Sequence, residues 1–176
     1  VKVDSGWGHS CALMSDGKVD CWGAGGEEKL SCTPYGLCDR PPTSAVRVSI
    51  NQPAIDLVVG DYSSCVILRD GSVECFGMIG EKHRHSDLRV PSDLTDVAYL
   101  GVGRYNACAV SHTDKITCWG RYNGSKHEAR IGAFSKGNLY GYDSVMCLHS
   151  GSNSSCWNYD GVYAGVSRTF DSWLRK

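Results

Sequence analysis

The sequence predicts an all-β chain made of four copies of one disulfide-stapled hairpin unit. Three observations carry that reading: a recurring glycine-to-cysteine pattern, a constant cysteine spacing, and turn residues that suit this spacing. The 176 residues are enough for one domain with a sizeable core.

The repeats come first, because a period of a few tens of residues fixes the architecture. The first copy runs through Gly6, His9, Cys11, Asp16, Gly17, Val19, Cys21, Trp22 and Gly23. The second carries Gly60, Cys65, Asp70, Gly71, Val73, Cys75, Phe76 and Gly77 in the same order. The third has Gly103, Cys108, Asp114, Ile116, Cys118, Trp119 and Gly120, and a looser fourth has Gly141, Cys147, Gly151, Cys156 and Trp157. Segments 53–59 and 91–99 read as a further strand ahead of their hairpins. The chain divides as a single domain, 1–176, with repeats at about 1–50, 51–92, 93–132 and 133–176.

Cysteine spacing then sets the hairpin geometry. In the first three copies the cysteines stand ten positions apart, so directly opposed cysteines need an odd, three-residue loop such as Ser15–Asp16–Gly17. Such a loop ends on a residue in the left-handed region, where glycine is least costly. The third copy has Asp114 there. In the fourth copy the spacing is nine, which demands an even loop, and Gly151–Ser152 suits a type II′ turn. Turn chemistry changes with parity, as opposed cysteines require. The expected bridges are Cys11–Cys21, Cys65–Cys75, Cys108–Cys118 and Cys147–Cys156, with Cys32–Cys38 closing a small loop in the first connection.

By the two-residue period of a strand, Cys11, Leu13, Val19 and Cys21 share one face of the first hairpin. That face should pack between units. The opposite face mixes Ala12 and Met14 with Lys18 and Asp20 and should be partly buried. The fourth copy has His149 and Ser154 at the aliphatic positions.

Ten cysteines in even number suit complete pairing in an oxidising compartment, and zinc knuckles of the C-x(2–4)-C kind are absent. Two glycosylation sequons, at Asn123 and Asn153, agree with a secreted, extracellular setting. A net charge of -1 predicts no general attraction to nucleic acid. No apolar run reaches the length of a membrane span.

The pattern running from Gly6 through His9, Cys11, Asp16–Gly17 and Cys21 to Trp22–Gly23 resembles the repeats of the regulator of chromosome condensation family, in a cysteine-bearing variety found in many secreted and bacterial proteins. The resemblance spans about residues 1–160. It implies a β-propeller of four-stranded blades whose face loops contact partners. Members of this family usually carry about seven blades. Four copies therefore imply either a four-bladed ring or an incomplete one, completed by a partner or by further sequence. The family's nuclear exchange activity does not transfer to a disulfide-rich extracellular chain, so function must be read from the site.

Candidate binding residues cluster after each repeat glycine: Trp7, Tyr62, Tyr105 and Tyr142, flanked by His9, Asp61, Arg104 and Asp143. Superposed copies would set them in a ring around one mouth of the propeller, and aromatics with arginine are the side chains most enriched at binding hot spots. The competing reading is that these aromatics wedge between blades. Trp22, Phe76, Trp119 and Trp157 follow the second cysteine and read as inter-blade packing. His83 and His85 read as a solvated loop rather than a metal site, and His9 also fits a structural hydrogen bond. No catalytic, cofactor or metal motif is present. The sequence thus predicts a non-enzymatic module binding an extracellular protein. A lectin using the aromatic turns and a structural matrix or coat component are the alternatives.

Overall fold

The computed structural model describes residues 1–23, 45–77, 89–104, 106–120, 127–130, 138–142, 145–150 and 153–158. All regular structure among them is β. The first blade holds β1 (Lys2–Ser5), β2 (His9–Leu13), β3 (Val19–Gly23) and β4 (Val46–Arg47); the second holds β5 (Ala54–Val59), β6 (Ser63–Leu68) and β7 (Val73–Gly77). The third holds β8 (Val97–Val102), β9 (Asn106–Ser111), β10 (Lys115–Gly120) and β11 (His127–Arg130), and the fourth holds β12 (Asn138–Tyr142), β13 (Val145–Ser150) and β14 (Asn153–Asn158). Each blade is an antiparallel meander with its strands in chain order. The fold is a β-propeller of four repeat blades.

Hairpin register follows the parity argument. Cys11 pairs with Cys21, Cys65 with Cys75, Cys108 with Cys118, and Cys147 with Cys156. All four pairs are disulfide-bonded, with Cα atoms 4.0–4.1 Å apart. Cys32 and Cys38 lie outside the described residues. The third loop residue is left-handed in each ten-spaced copy, with φ of 84° at Gly17, 80° at Gly71 and 60° at Asp114. In each case its amide donates back across the turn, Gly17 to Met14 O, Gly71 to Leu68 O and Asp114 to Ser111 O. In the fourth blade Ser150 pairs with Asn153, so a two-residue loop joins β13 to β14.

Blades stack face against face, and the cysteine-bearing face of each one, here the trailing face, meets the leading face of the next. Cys11, Leu13, Val19 and Cys21 pack on Leu57, Val59, Val66 and Leu68 of the second blade. Cys65, Ile67 and Val73 pack in turn on Leu100, Val102, Ala107, Ala109 and Trp119. Cys108, Val110 and Ile116 pack on Leu139, Met146 and Leu148. Each fully buried aliphatic side chain contributes roughly 1.5–3 kcal/mol of transfer free energy. The expectation of a partly buried opposite face holds for the first blade, where Met14 and Lys18 are exposed and Asp20 is half-buried. In the second blade, which has a neighbour on either side, all six residues of β6 are buried.

The seams are also tied by polar contacts. The Ala54 amide donates to Gly17 O and the Val97 amide to Gly71 O, so each hairpin turn receives the first strand of the next blade. Asp4 accepts the Val59 amide at 2.8 Å across the first seam. Lys2 pairs with Asp56 at 2.6 Å there, an exposed ion pair of small energetic weight. No helix among the described residues is long and apolar enough to cross a membrane.

Candidate functional site: an aromatic and cationic stripe across three blades

The site begins with the repeat glycines. Each opens a tight turn between the first two strands of its blade, closed by Gly6 N to His9 O, Gly60 N to Ser63 O and Gly103 N to Asn106 O at 2.8–2.9 Å. These turns nest against each other. A Cβ added to Gly6 would sit 1.8 Å from Gly60 O, and one added to Gly60 would sit 2.6 Å from Gly103 O. Only glycine allows so close an approach of backbones. The turns of three successive blades are thereby stacked side by side.

The residues that follow the glycines are brought together as a result. The Trp7 and Tyr62 rings meet edge to face, with centroids 6.0 Å apart and an interplanar angle of 77°. The Arg104 guanidinium lies 5.3 Å from the Tyr62 ring centre and donates through Nη2 to Tyr62 Oη at 2.7 Å. Three blades thus contribute one continuous stripe. Trp7 is its outermost member, 65% exposed, while Tyr62, Arg104 and the neighbouring Asp61 are half-buried. A tryptophan of that exposure, backed by an aromatic edge and a fixed cation, offers stacking area and hydrogen-bond donors to a ligand.

His9 stands apart from the stripe. It lies buried in the first seam, with Nε2 2.7 Å from Ser64 Oγ. Burial pushes its imidazole below the ordinary histidine value, against a smaller opposing pull from the Asp4 carboxylate. Ser64 is fully enclosed, so this His–Ser pair is sealed from any substrate. Tyr142 lies at the end of β12, whereas Tyr105 and Asp143 fall outside the described residues, as do Asn123 and the His83–His85 segment. Asn153 opens β14. Of the aromatics after the second cysteine, Trp119 is fully buried in the second seam and Phe76 packs partly against the first. Ser64 was not singled out from the sequence. Its place one residue before Cys65, opposite the histidine of the preceding copy, is the signal that could have found it.

The buried histidine makes stability pH-dependent. The unfolded chain takes up the proton near pH 6.5, while the folded chain resists it, so stability is complete above that pH and is lost as pH falls toward the lowered folded value. Urea midpoints measured at pH 8 and pH 5.5 should fall more in the wild type than in His9→Asn. Asparagine is the residue already standing at the equivalent position of the third blade, Asn106. Equal falls in the two proteins would remove His9 as the cause.

Residues 1–27 match the family described as regulator of chromosome condensation (RCC1) repeat. The first repeat of this chain is similar to the RCC1 repeat. No curated protein matches the sequence. Among solved structures, human WBSCR16 superposes with a TM-score of 0.66 at 16% identity, over 90% of this chain and 47% of that one. Prp20p from Saccharomyces cerevisiae, described with its binding to Gsp1p and histones, gives 0.65 at 15% identity over 90% and 43%. The entire ectodomain of the Physcomitrella patens receptor kinase CR4 gives 0.57 at 21% identity over 90% and 38%. The chain therefore spans less than half the length of each of these structures. At such identities the likeness establishes the fold.

Proposed function

We propose that this chain is an extracellular, non-enzymatic recognition module that binds a protein partner through the face bearing Trp7, Tyr62 and Arg104. The observation that carries the reading is the stripe itself: three blades each give one residue to a surface that is aromatic, cationic and open at Trp7. Such a surface suits a buried anchor ringed by polar groups, the arrangement that dominates protein–protein affinity. Protein binding is also what is described for Prp20p, while an ectodomain of the same fold supports an extracellular setting for a disulfide-rich chain.

The test is affinity capture on the immobilised, oxidised chain, followed by titration of the captured protein against variants. Trp7→Ala should weaken binding about 30-fold or more, the scale of a hot-spot truncation, and Arg104→Ala should weaken it less. Unchanged affinity in Trp7→Ala with the disulfides intact removes this site. Carbohydrate is the second reading, favoured by the exposure of Trp7, whose ring face could stack on a sugar. Glycan-array binding that disappears in Trp7→Ala, with no protein captured, would replace the first reading by that one.

A further inference from the structure

We propose that each blade-to-blade seam holds an internal water molecule bound by the residue that closes its glycine turn: His9 in the first seam, Ser63 in the second and Asn106 in the third. These three stand two residues before Cys11, Cys65 and Cys108, and each supplies the carbonyl that accepts the amide of its repeat glycine. By the two-residue period they share the face of those cysteines, which is the face that meets the next blade. They are 3%, 0% and 3% exposed. Each nevertheless keeps one buried side-chain polar atom with no hydrogen-bond partner among the described residues: His9 Nδ1, Ser63 Oγ and Asn106 Oδ1.

One such atom would carry little weight. Three at the same repeat position, on three different residue types, mark a place that the fold keeps polar. Side chains across the seam do not account for it. His9 reaches Ser64, the residue just before Cys65, but the residues at that place in the next two blades are Ala107 and Met146, both fully buried and neither with a hydroxyl. Even in the first seam Nδ1 is left over, because Ser64 meets Nε2. A buried polar group without a partner is costly, so the position calls for a small partner that suits imidazole, hydroxyl and amide alike. Water does, since it both donates and accepts and bridges buried groups of this kind.

The second seam shows how the site is sized. Its counterpart of the His9–Ser64 pair is Ser63 with Ala107, in which a hydroxyl replaces the imidazole and a hydrogen replaces the hydroxyl, five non-hydrogen atoms fewer. Trp119, opposite Ala107, stands where the first seam has Phe76, opposite Ser64, and returns three of them. The turns do not draw closer in compensation: a Cβ on Gly6 would lie 1.8 Å from Gly60 O, and one on Gly60 would lie 2.6 Å from Gly103 O. The net deficit is comparable with one water molecule, about 30 Å³. Further acceptors are at hand, since Gly103 O and Ser63 O lie 2.6 and 3.2 Å from the point that a Cβ of Gly60 would take, and a carbonyl has two lone pairs. The same turns carry Trp7, Tyr62 and Arg104, so the waters belong to the support of the stripe.

Ser63→Ala separates a hydrated site from a dry one by the sign of its effect. A dry hydroxyl without a partner opposes folding, so its removal would raise the urea midpoint of the oxidised chain. A water-bound hydroxyl favours folding, and its removal should lower that midpoint by about 0.5 M. High-resolution crystals of the wild type should show one ordered water within about 3 Å of each of His9 Nδ1, Ser63 Oγ and Asn106 Oδ1. Oxygen-17 relaxation dispersion counts long-lived waters in solution, and its amplitude should be smaller in Ser63→Ala than in the wild type. A raised or unchanged midpoint in Ser63→Ala overturns the proposal. So does a wild-type crystal with no water beside Ser63 Oγ, whatever the midpoint does.

Discussion

Replacing Trp119 by alanine is expected to remove about 3–5 kcal/mol of stability, a large share of the total for a domain this size. The indole is fully buried in the second seam, among Cys65, Ile67 and Val73 of one blade and Leu100, Val102, Ala107 and Ala109 of the next. Its removal leaves a cavity between two sheets, and each sheet is held by its own ladder and disulfide, so neither collapses freely into the space. Trp22 occupies the same repeat position on the first blade but is half-buried, so Trp22→Ala should cost less than half as much. Urea unfolding of the oxidised protein reads both values, with an unchanged m-value showing that stability alone has moved. Equal losses at the two tryptophans would mean that the burial difference between the blades is not real.

Gly6→Ala is the second large effect, at about 3 kcal/mol. The new methyl carbon would lie 1.8 Å from Gly60 O and 2.8 Å from the carbon of that carbonyl, and both are backbone atoms of a turn tied to Ser63. A flexible side chain would swing aside. A nested turn cannot, so the first blade must back away from the second and open the seam lined by Leu57 and Val66. The same shift would part Trp7 from Tyr62, so the variant should lose both its urea resistance and the fluorescence signature of the paired rings. A wild-type urea midpoint in Gly6→Ala would show that the blades slide freely at their inner ends.

The local part of this architecture was legible in the residues. Cysteine parity and the Asp16–Gly17 and Asp70–Gly71 turns specify the hairpin register, and the paired sulfurs and the left-handed φ at Gly17, Gly71 and Asp114 follow it. The reason is short range: about ten residues of chain must return on themselves, and few turn conformations allow each count. The mouth stripe was legible only as a set of candidates. Trp7 directly follows its glycine whereas Tyr62 lies two beyond, so aligning the copies does not pair them. Contact between them arises from how one glycine turn nests on the next. His9 illustrates the opposite case, where a residue next to the mouth in sequence points into the seam and meets Ser64.

The sequence alone therefore determined the four hairpins, their register and their sulfur pairs, because these depend on spacings within one copy. Tertiary structure alone decided which faces are covered, that β6 is buried along its whole length, and that the equivalent positions Val3 and Leu57 have opposite exposures. Stacking joins residues some fifty positions apart, and a strand's alternation says which side chains share a face without saying what lies against that face.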